Sequence, residues 1–275
     1  GNNLEYLPNE LILWDDQQQK IIQKIKFPIN IEKIKANDNY LSIASKTHIC
    51  IYDLRNKLTN FRNIFSARYY SDTITRFELN DISTENYLLV FSLNKTKLCL
   101  KTNNDKIEFT PHKNPIQSFN CSGDGKYIAT TSVYNTLIRI FTDKGTLIKE
   151  LRYNGNIIEK IINIKNINLE FSYDNSLIGS INNSGTIQIF NTDLVDTKYK
   201  NFKLNIPIIS SIIPQDWEYC RFTIPNSLCK LIFLNNFILV INNFGKLYKL
   251  KLMKPECKLE YMKTYIYSEY DSIFQ

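Results

Sequence analysis

Between Pro115 and Leu151 the chain sets out four short apolar runs separated by turn residues, and this unit constrains the fold more than anything else in the sequence. Pro115 to Phe119 leads into a Gly123-Asp124-Gly125 turn, and Tyr127 to Thr131 follows. Leu137 to Phe141 then runs to a Lys144-Gly145 turn and on to Leu147 to Leu151. The runs are rich in β-branched and aromatic residues and too short for helices, so they read as strands. Four strands in about 40 residues is the size of one β-propeller blade.

The unit recurs in degenerate form. Phe171 to Asp174, Leu177 to Ile181 and Thr186 to Phe190 echo its first three strands. Upstream come Ile31 to Lys35, Tyr40 to Ala44, Ile49 to Asp53 and Phe61 to Phe65, then Ile74 to Leu79, Tyr87 to Ser92, Leu98 to Lys101 and Lys106 to Phe109. The last unit is Lys230 to Leu234, Phe237 to Ile241, Lys246 to Lys251 and Leu259 to Ile266. The spacing favours an all-β, WD40-like propeller over an irregular β-sandwich, with residues 1–275 as one domain. Glu10 to Asp15, which carries Trp14-Asp15, reads as the third strand of a blade, and Lys20 to Phe27 as its fourth. That makes about five and a half blades. An open ring leaves strand edges unpaired, so the expectation is a portion of a longer propeller.

Other features bound the function. The net charge of +7 suits an anionic partner, but it also fits the drift of a chain rich in Asn, Lys, Ile and Tyr. Lys and Arg are spread along the chain, so nucleic acid is not expected as a partner. The six cysteines form no CxxC pair and the two histidines, His48 and His112, are far apart, so neither a metal site nor a cofactor is expected. The scattered thiols read as reduced and intracellular. There is no apolar run long enough to span a membrane and no secretory leader. No Gly-rich phosphate loop, HExxH or G-x-S-x-G occurs, so the chain does not read as an enzyme.

Four segments, in order, resemble the PROPPINs, seven-bladed propellers that bind phosphoinositides in autophagy and endosomal traffic. Asn9 to Asp16 resembles that family's second blade. Ala129 to Ser132 with Thr136 to Phe141 resembles the fifth, Ser184 to Phe190 the sixth, and Asp216 to Phe222 the strand that closes the sixth. The resemblance implies that the first blade and a half, roughly 60 to 70 residues, lies outside this sequence.

The resemblance also implies sites. The family's hallmark is Phe/Leu-Arg-Arg-Gly after the fifth blade, with each arginine serving one headgroup pocket through forked hydrogen bonds to phosphate. Here the stretch is Leu151-Arg152-Tyr153-Asn154-Gly155, so one arginine is kept. By resemblance Arg152, Arg139, Ser132, Thr136 and His112 form the first pocket. The second is degraded, because Tyr153 replaces its arginine and Gln188 its histidine while Thr186 remains. Arg139 and Arg152 as ordinary strand-end charges is the competing reading.

Residues 192–215 form a long rim connection of the sixth blade, where the family carries a membrane-inserting loop. Lys198, Lys200, Phe202 and Lys203 precede an apolar run with Ile206, Ile208, Ile209, Ile212 and Ile213. Lysines against anionic headgroups and isoleucines at the acyl boundary suit a membrane contact; a buried strand, or a cover over the propeller edge, is the alternative. The implied function is a cytoplasmic phosphoinositide-binding scaffold, reading phosphatidylinositol 3-phosphate or 3,5-bisphosphate on endosomal, vacuolar or autophagic membranes and recruiting autophagy or trafficking proteins. A WD-repeat protein-interaction scaffold that has lost lipid binding is the alternative.

Overall fold

The computed structural model describes residues 7–45, 47–55, 62–68, 77–83, 86–133, 137–152, 166–182, 184–192, 194, 218–224, 229–234, 237–253 and 258–264. Among these, every regular element is a β-strand and every pairing joins chain neighbours antiparallel. The Cα packing separates two compact units, residues 1–110 and 111–275.

The first unit begins with a hairpin, β1 (Glu10–Asp15) and β2 (Lys20–Lys26). A four-stranded sheet follows: β3 (Lys33–Ala36), β4 (Tyr40–Ala44), β5 (His48–Asp53) and β6 (Arg62–Arg68). The second four-stranded sheet is β7 (Phe77–Ser83), β8 (Asn86–Ser92), β9 (Leu98–Lys101) and β10 (Lys106–Phe109). Strand β4 is buried along its whole length, as an inner strand packed on both faces must be, whereas β2 is largely exposed. Tyr40, Ile49 and Ile51 pack against Phe77, Tyr87, Leu89 and Phe91 to join the two sheets. Leu11 and Phe27 of the hairpin region pack on Leu41 and Ile43.

The second unit holds three four-stranded sheets. The first is β11 (Ile116–Cys121), β12 (Tyr127–Ser132), β13 (Leu137–Thr142) and β14 (Leu147–Arg152). The second is β15 (Asn166–Phe171), β16 (Leu177–Asn182), β17 (Thr186–Asn191) and β18 (Glu218–Thr223). The third is β19 (Cys229–Leu234), β20 (Phe237–Asn242), β21 (Lys246–Lys251) and β22 (Lys258–Thr264). Ala129, Ile138, Ile140 and Leu151 pack against Leu169, Phe171, Ile178 and Phe190 between the first two sheets. Ile181, Ile187 and Ile189 pack against Leu231, Ile238, Val240 and Leu250 between the second and third. Strand β17 therefore sends Phe190 toward one neighbouring sheet and Ile187 and Ile189 toward the other, the period-two logic of a sheet buried on both faces.

The turns repeat as well. Ser122 donates to Asp124 Oδ1 at 2.7 Å and accepts from the Tyr127 amide at 2.9 Å. One sheet later Ser172 donates to Asp174 at 2.7 Å and accepts from the Leu177 amide at 2.9 Å. The residues at positive φ are equivalent, Gly125 at 69° and Asn175 at 59°.

Two expectations need correction. Phe171 to Asp174 is not a strand. The strand is Asn166–Phe171, and Ser172 and Asp174 close the turn after it, because their side chains compete for the backbone donors that a ladder would use. The cysteines are not all reduced. Cys50, Cys99, Cys121 and Cys229 are free, but buried Cys220 on β18 is disulfide-bonded. Scattered spacing alone did not show that two thiols come together in space.

Candidate functional site

The fifth-blade residues sit on one face of the sheet β11–β14. Register places Thr130 opposite Arg139 and Arg139 opposite Glu150, so these three form one cross-strand row. Arg152 lies opposite Leu137, two residues further along on the same face, and Ser132 shares the face of Thr130 two residues along β12. The other face carries Ala129, Ile138, Ile140 and Leu151, which pack on β15–β18. Arg139 and Arg152 are thus excluded from that core by strand alternation alone.

The row is hydrogen-bonded. Arg139 Nε donates to Glu150 Oε1 at 2.7 Å, and Arg139 Nη1 donates to the Pro111 carbonyl at 2.7 Å. His112 Nε2 lies 2.9 Å from Thr130 Oγ1. Burial, and then the neighbouring Arg139 guanidinium, push the His112 pKa down to about 4. The ring is neutral at neutral pH, so it bonds as a dipole and not as a cation. Arg139 and Glu150 are about one-third exposed, with side-chain exposures of 28% and 34%. Arg152 is exposed at the end of its strand and Ser132 is buried.

Four of the five first-pocket residues, His112, Ser132, Arg139 and Arg152, therefore share this sheet face or its edge. Thr136 lies outside the described residues. Sequence reasoning missed Glu150 and Thr130. The signal for Glu150 was present, since folding β13 onto β14 about the Lys144-Gly145 turn brings position 150 opposite 139.

The second-pocket residues lie elsewhere. Thr186 and Gln188 are buried on β17, on the face that also carries Phe190 and so turns toward β11–β14. Gln188 stands opposite Ser180 and Arg221. The Thr186 amide donates to Asn182 Oδ1 at 2.9 Å. The two groups of residues thus flank opposite sides of the sheet β11–β14. Tyr153 lies outside the described residues, as do Lys198, Lys200, Phe202, Lys203, Ile206, Ile208, Ile209, Ile212 and Ile213. Of the connection 192–215, Thr192 and Leu194 are described. Buried Thr192 donates its hydroxyl to the Asn175 carbonyl and anchors the start of the connection to the preceding turn.

Comparison with known proteins bears on the fold. No family model matches the chain. It is 22% identical over 241 residues to SVP1-like protein 2 of Kluyveromyces lactis, covering 84% of this chain and 67% of that protein. It is 27% identical over 202 residues to Autophagy-related protein 21 of Vanderwaltozyma polyspora, covering 72% of this chain and 43% of that protein. The solved structure of Kluyveromyces lactis Hsv2 superposes with a TM-score of 0.74 at 19% identity, over 93% of this chain and 80% of that one.

The chain is similar to these SVP1-like and autophagy-related proteins.

Its fold is the WD40-type β-propeller, as the four-stranded sheets and the solved neighbours show. The chain spans from about two fifths to two thirds of the length of these two curated relatives. Arg152 stands on the sheet face shared with Arg139, and Thr186 and Gln188 stand beyond the opposite face.

Proposed function

We propose that this protein is a phosphoinositide-binding peripheral membrane scaffold acting in autophagy or endosomal traffic, with no catalytic role. One observation carries the reading. Arg139 and Arg152 project from one face of a single blade, two residues apart in register, and by resemblance both belong to a first headgroup pocket. A guanidinium at the rim of a rigid strand is suited to a phosphate, because its fork matches phosphate oxygens and the strand holds it in place. Names of relatives such as Autophagy-related protein 21 support the choice of process. The connection 192–215, with its lysines and isoleucines, is the proposed second membrane contact. Proteins of autophagy or membrane traffic are the proposed partners, and autophagic, endosomal or vacuolar membranes the proposed location.

The test is vesicle flotation of the full-length protein, with and without phosphatidylinositol 3-phosphate or 3,5-bisphosphate. Recruitment that requires the 3-phosphorylated lipid supports the reading; equal recruitment to phosphatidylserine alone removes it. A second reading, a protein-interaction scaffold without lipid binding, is favoured by one specific observation. Arg139 already spends hydrogen bonds on Glu150 and the Pro111 carbonyl.

A further inference from the structure

The row Thr130–Arg139–Glu150 holds an acidic residue that the headgroup reading leaves unexplained. Glu150 is one-third exposed and lies on the same sheet face as both arginines. It is bonded across the sheet to Arg139 at 2.7 Å and sits two positions before Arg152 on the same strand. Arg139 is held a second time by the Pro111 carbonyl, also at 2.7 Å. A guanidinium bound to a carboxylate and a carbonyl presents less charge and fewer donors to a ligand than one facing solvent. A carboxylate beside a phosphate-binding cation also repels a dianionic phosphate.

We propose that Glu150 is the specificity-determining residue of this site: it engages Arg139 and leaves Arg152 as the outward cation, so that the face accepts a headgroup with one phosphomonoester in preference to two. The inference rests on the proposed lipid-binding function and deepens it. Arg139 then acts as a positioning residue that ties β13 to β14 and to the segment before β11. Removing the Glu150 charge while keeping its shape frees Arg139 for a second phosphate. The gain is confined to the bisphosphate, because the single phosphate is already served by Arg152.

The experiment measures binding of the full-length protein to phosphatidylcholine and phosphatidylserine vesicles, alone or carrying phosphatidylinositol 3-phosphate or the 3,5-bisphosphate. Native protein is expected to bind the monophosphate at least as well as the bisphosphate. Glu150→Gln should shift the preference toward the bisphosphate by about tenfold, the worth of one charge-assisted hydrogen bond. Glu150→Asp, which keeps the charge, should retain the native preference. Arg139→Gln should cancel the shift when combined with Glu150→Gln. Thermal melting of each variant identifies loss by misfolding, and the Glu150→Asp comparison stands if Glu150→Gln does not fold. An equal gain for all anionic vesicles, no change of preference in Glu150→Gln, or a shift that persists in the Arg139→Gln, Glu150→Gln double variant overturns the inference and leaves the lipid reading intact. Native protein that does not distinguish either phosphoinositide from phosphatidylserine removes the lipid reading, and the role of Glu150 with it.

Discussion

His112 Nε2 and Thr130 Oγ1 lie 2.9 Å apart, both buried, where the segment entering β11 crosses the sheet β11–β14. The pairing has two consequences. It fixes the edge of the sheet beside Arg139, since the residue before His112 supplies the carbonyl that Arg139 binds. It also places a titratable ring next to a guanidinium in a dry setting, which disfavours its protonation.

Stability should therefore fall on mild acidification. The unfolded chain binds a proton at His112 near pH 6.5, whereas in the fold the pKa is depressed to about 4. The contribution of the neutral ring is complete above pH 6.5, declines progressively toward pH 4 and is gone below it. At about 1.4 kcal/mol per unit the loss amounts to a few kcal/mol. Urea midpoints measured between these pH values check it. His112→Gln should flatten the decline, and an unchanged slope in that variant would show that the titrating group is elsewhere.

The paired Ser-Asp turns should respond together and at lower pH. Burial opposes ionisation of Asp124, but hydrogen bonds from Ser122 and Lys126 more than offset it and hold the carboxyl below its usual range. Hydrogen bonds from Ser172 and Ser176 do the same for Asp174. Their stabilisation is present above the usual carboxylate range and is lost as pH falls through the lowered folded values. Ser122→Ala and Ser172→Ala should each cost about 1 kcal/mol, since each removes a hydroxyl that donates to the carboxylate and accepts from the backbone. Asn175→Gly should be nearly neutral, because φ at 59° suits glycine at least as well. Denaturant melts of the three variants give the comparison.

The blade pattern was legible because strand residues must alternate and turns need particular chemistry. Tyr40 to Ala44, Leu98 to Lys101 and Lys106 to Phe109 coincide with β4, β9 and β10. Boundaries slipped where polar residues sit inside a strand. Asn166 and Asn168 alternate with Ile167 and Leu169 in β15, so that run has no continuous apolar stretch. Within the site, the arginines were visible through their motif. The hydrogen bonds that engage Arg139 were not, because they depend on register between β13 and β14 and on a carbonyl 28 residues away.

Packing between the last two sheets predicts a size limit at Gly179. A Cβ built there would lie 2.8 Å from Leu231 Cδ2 and 3.1 Å from Ile189 Cδ1. Gly179→Ala should destabilise by about 1 to 3 kcal/mol, the usual range for overpacking a filled core. Leu231→Ala, destabilising by itself, should make the Gly179→Ala step less costly, because the clashing methyls are gone. A double-mutant cycle by denaturant unfolding measures that coupling; additive effects would mean that the sheets separate instead of pressing on Leu231.

Arg152 gives the most direct functional prediction. It is exposed at the end of β14, on the sheet face that also carries Arg139, while Thr186 and Gln188 lie toward the opposite face. Tyr153, where the family pattern has its second arginine, carries no charge at neutral pH. Arg152 is then the principal cation available to a phosphate, and a charge-assisted hydrogen bond to it contributes roughly 1.5 to 3 kcal/mol. Arg152→Ala should weaken binding to 3-phosphorylated vesicles by about ten- to a hundredfold. Tyr153→Ala should change it little. Because an exposed cation is screened within about 8 Å at physiological salt, native binding should also fall as salt rises, and Arg152→Ala should reduce that dependence. Stability should hardly move, since Arg152 is exposed and Leu151 beside it carries the core contact. Vesicle sedimentation across a salt series, with melting curves on the same samples, measures both quantities. Unchanged lipid binding in Arg152→Ala would leave the face without a phosphate ligand and turn the argument to the protein-scaffold reading.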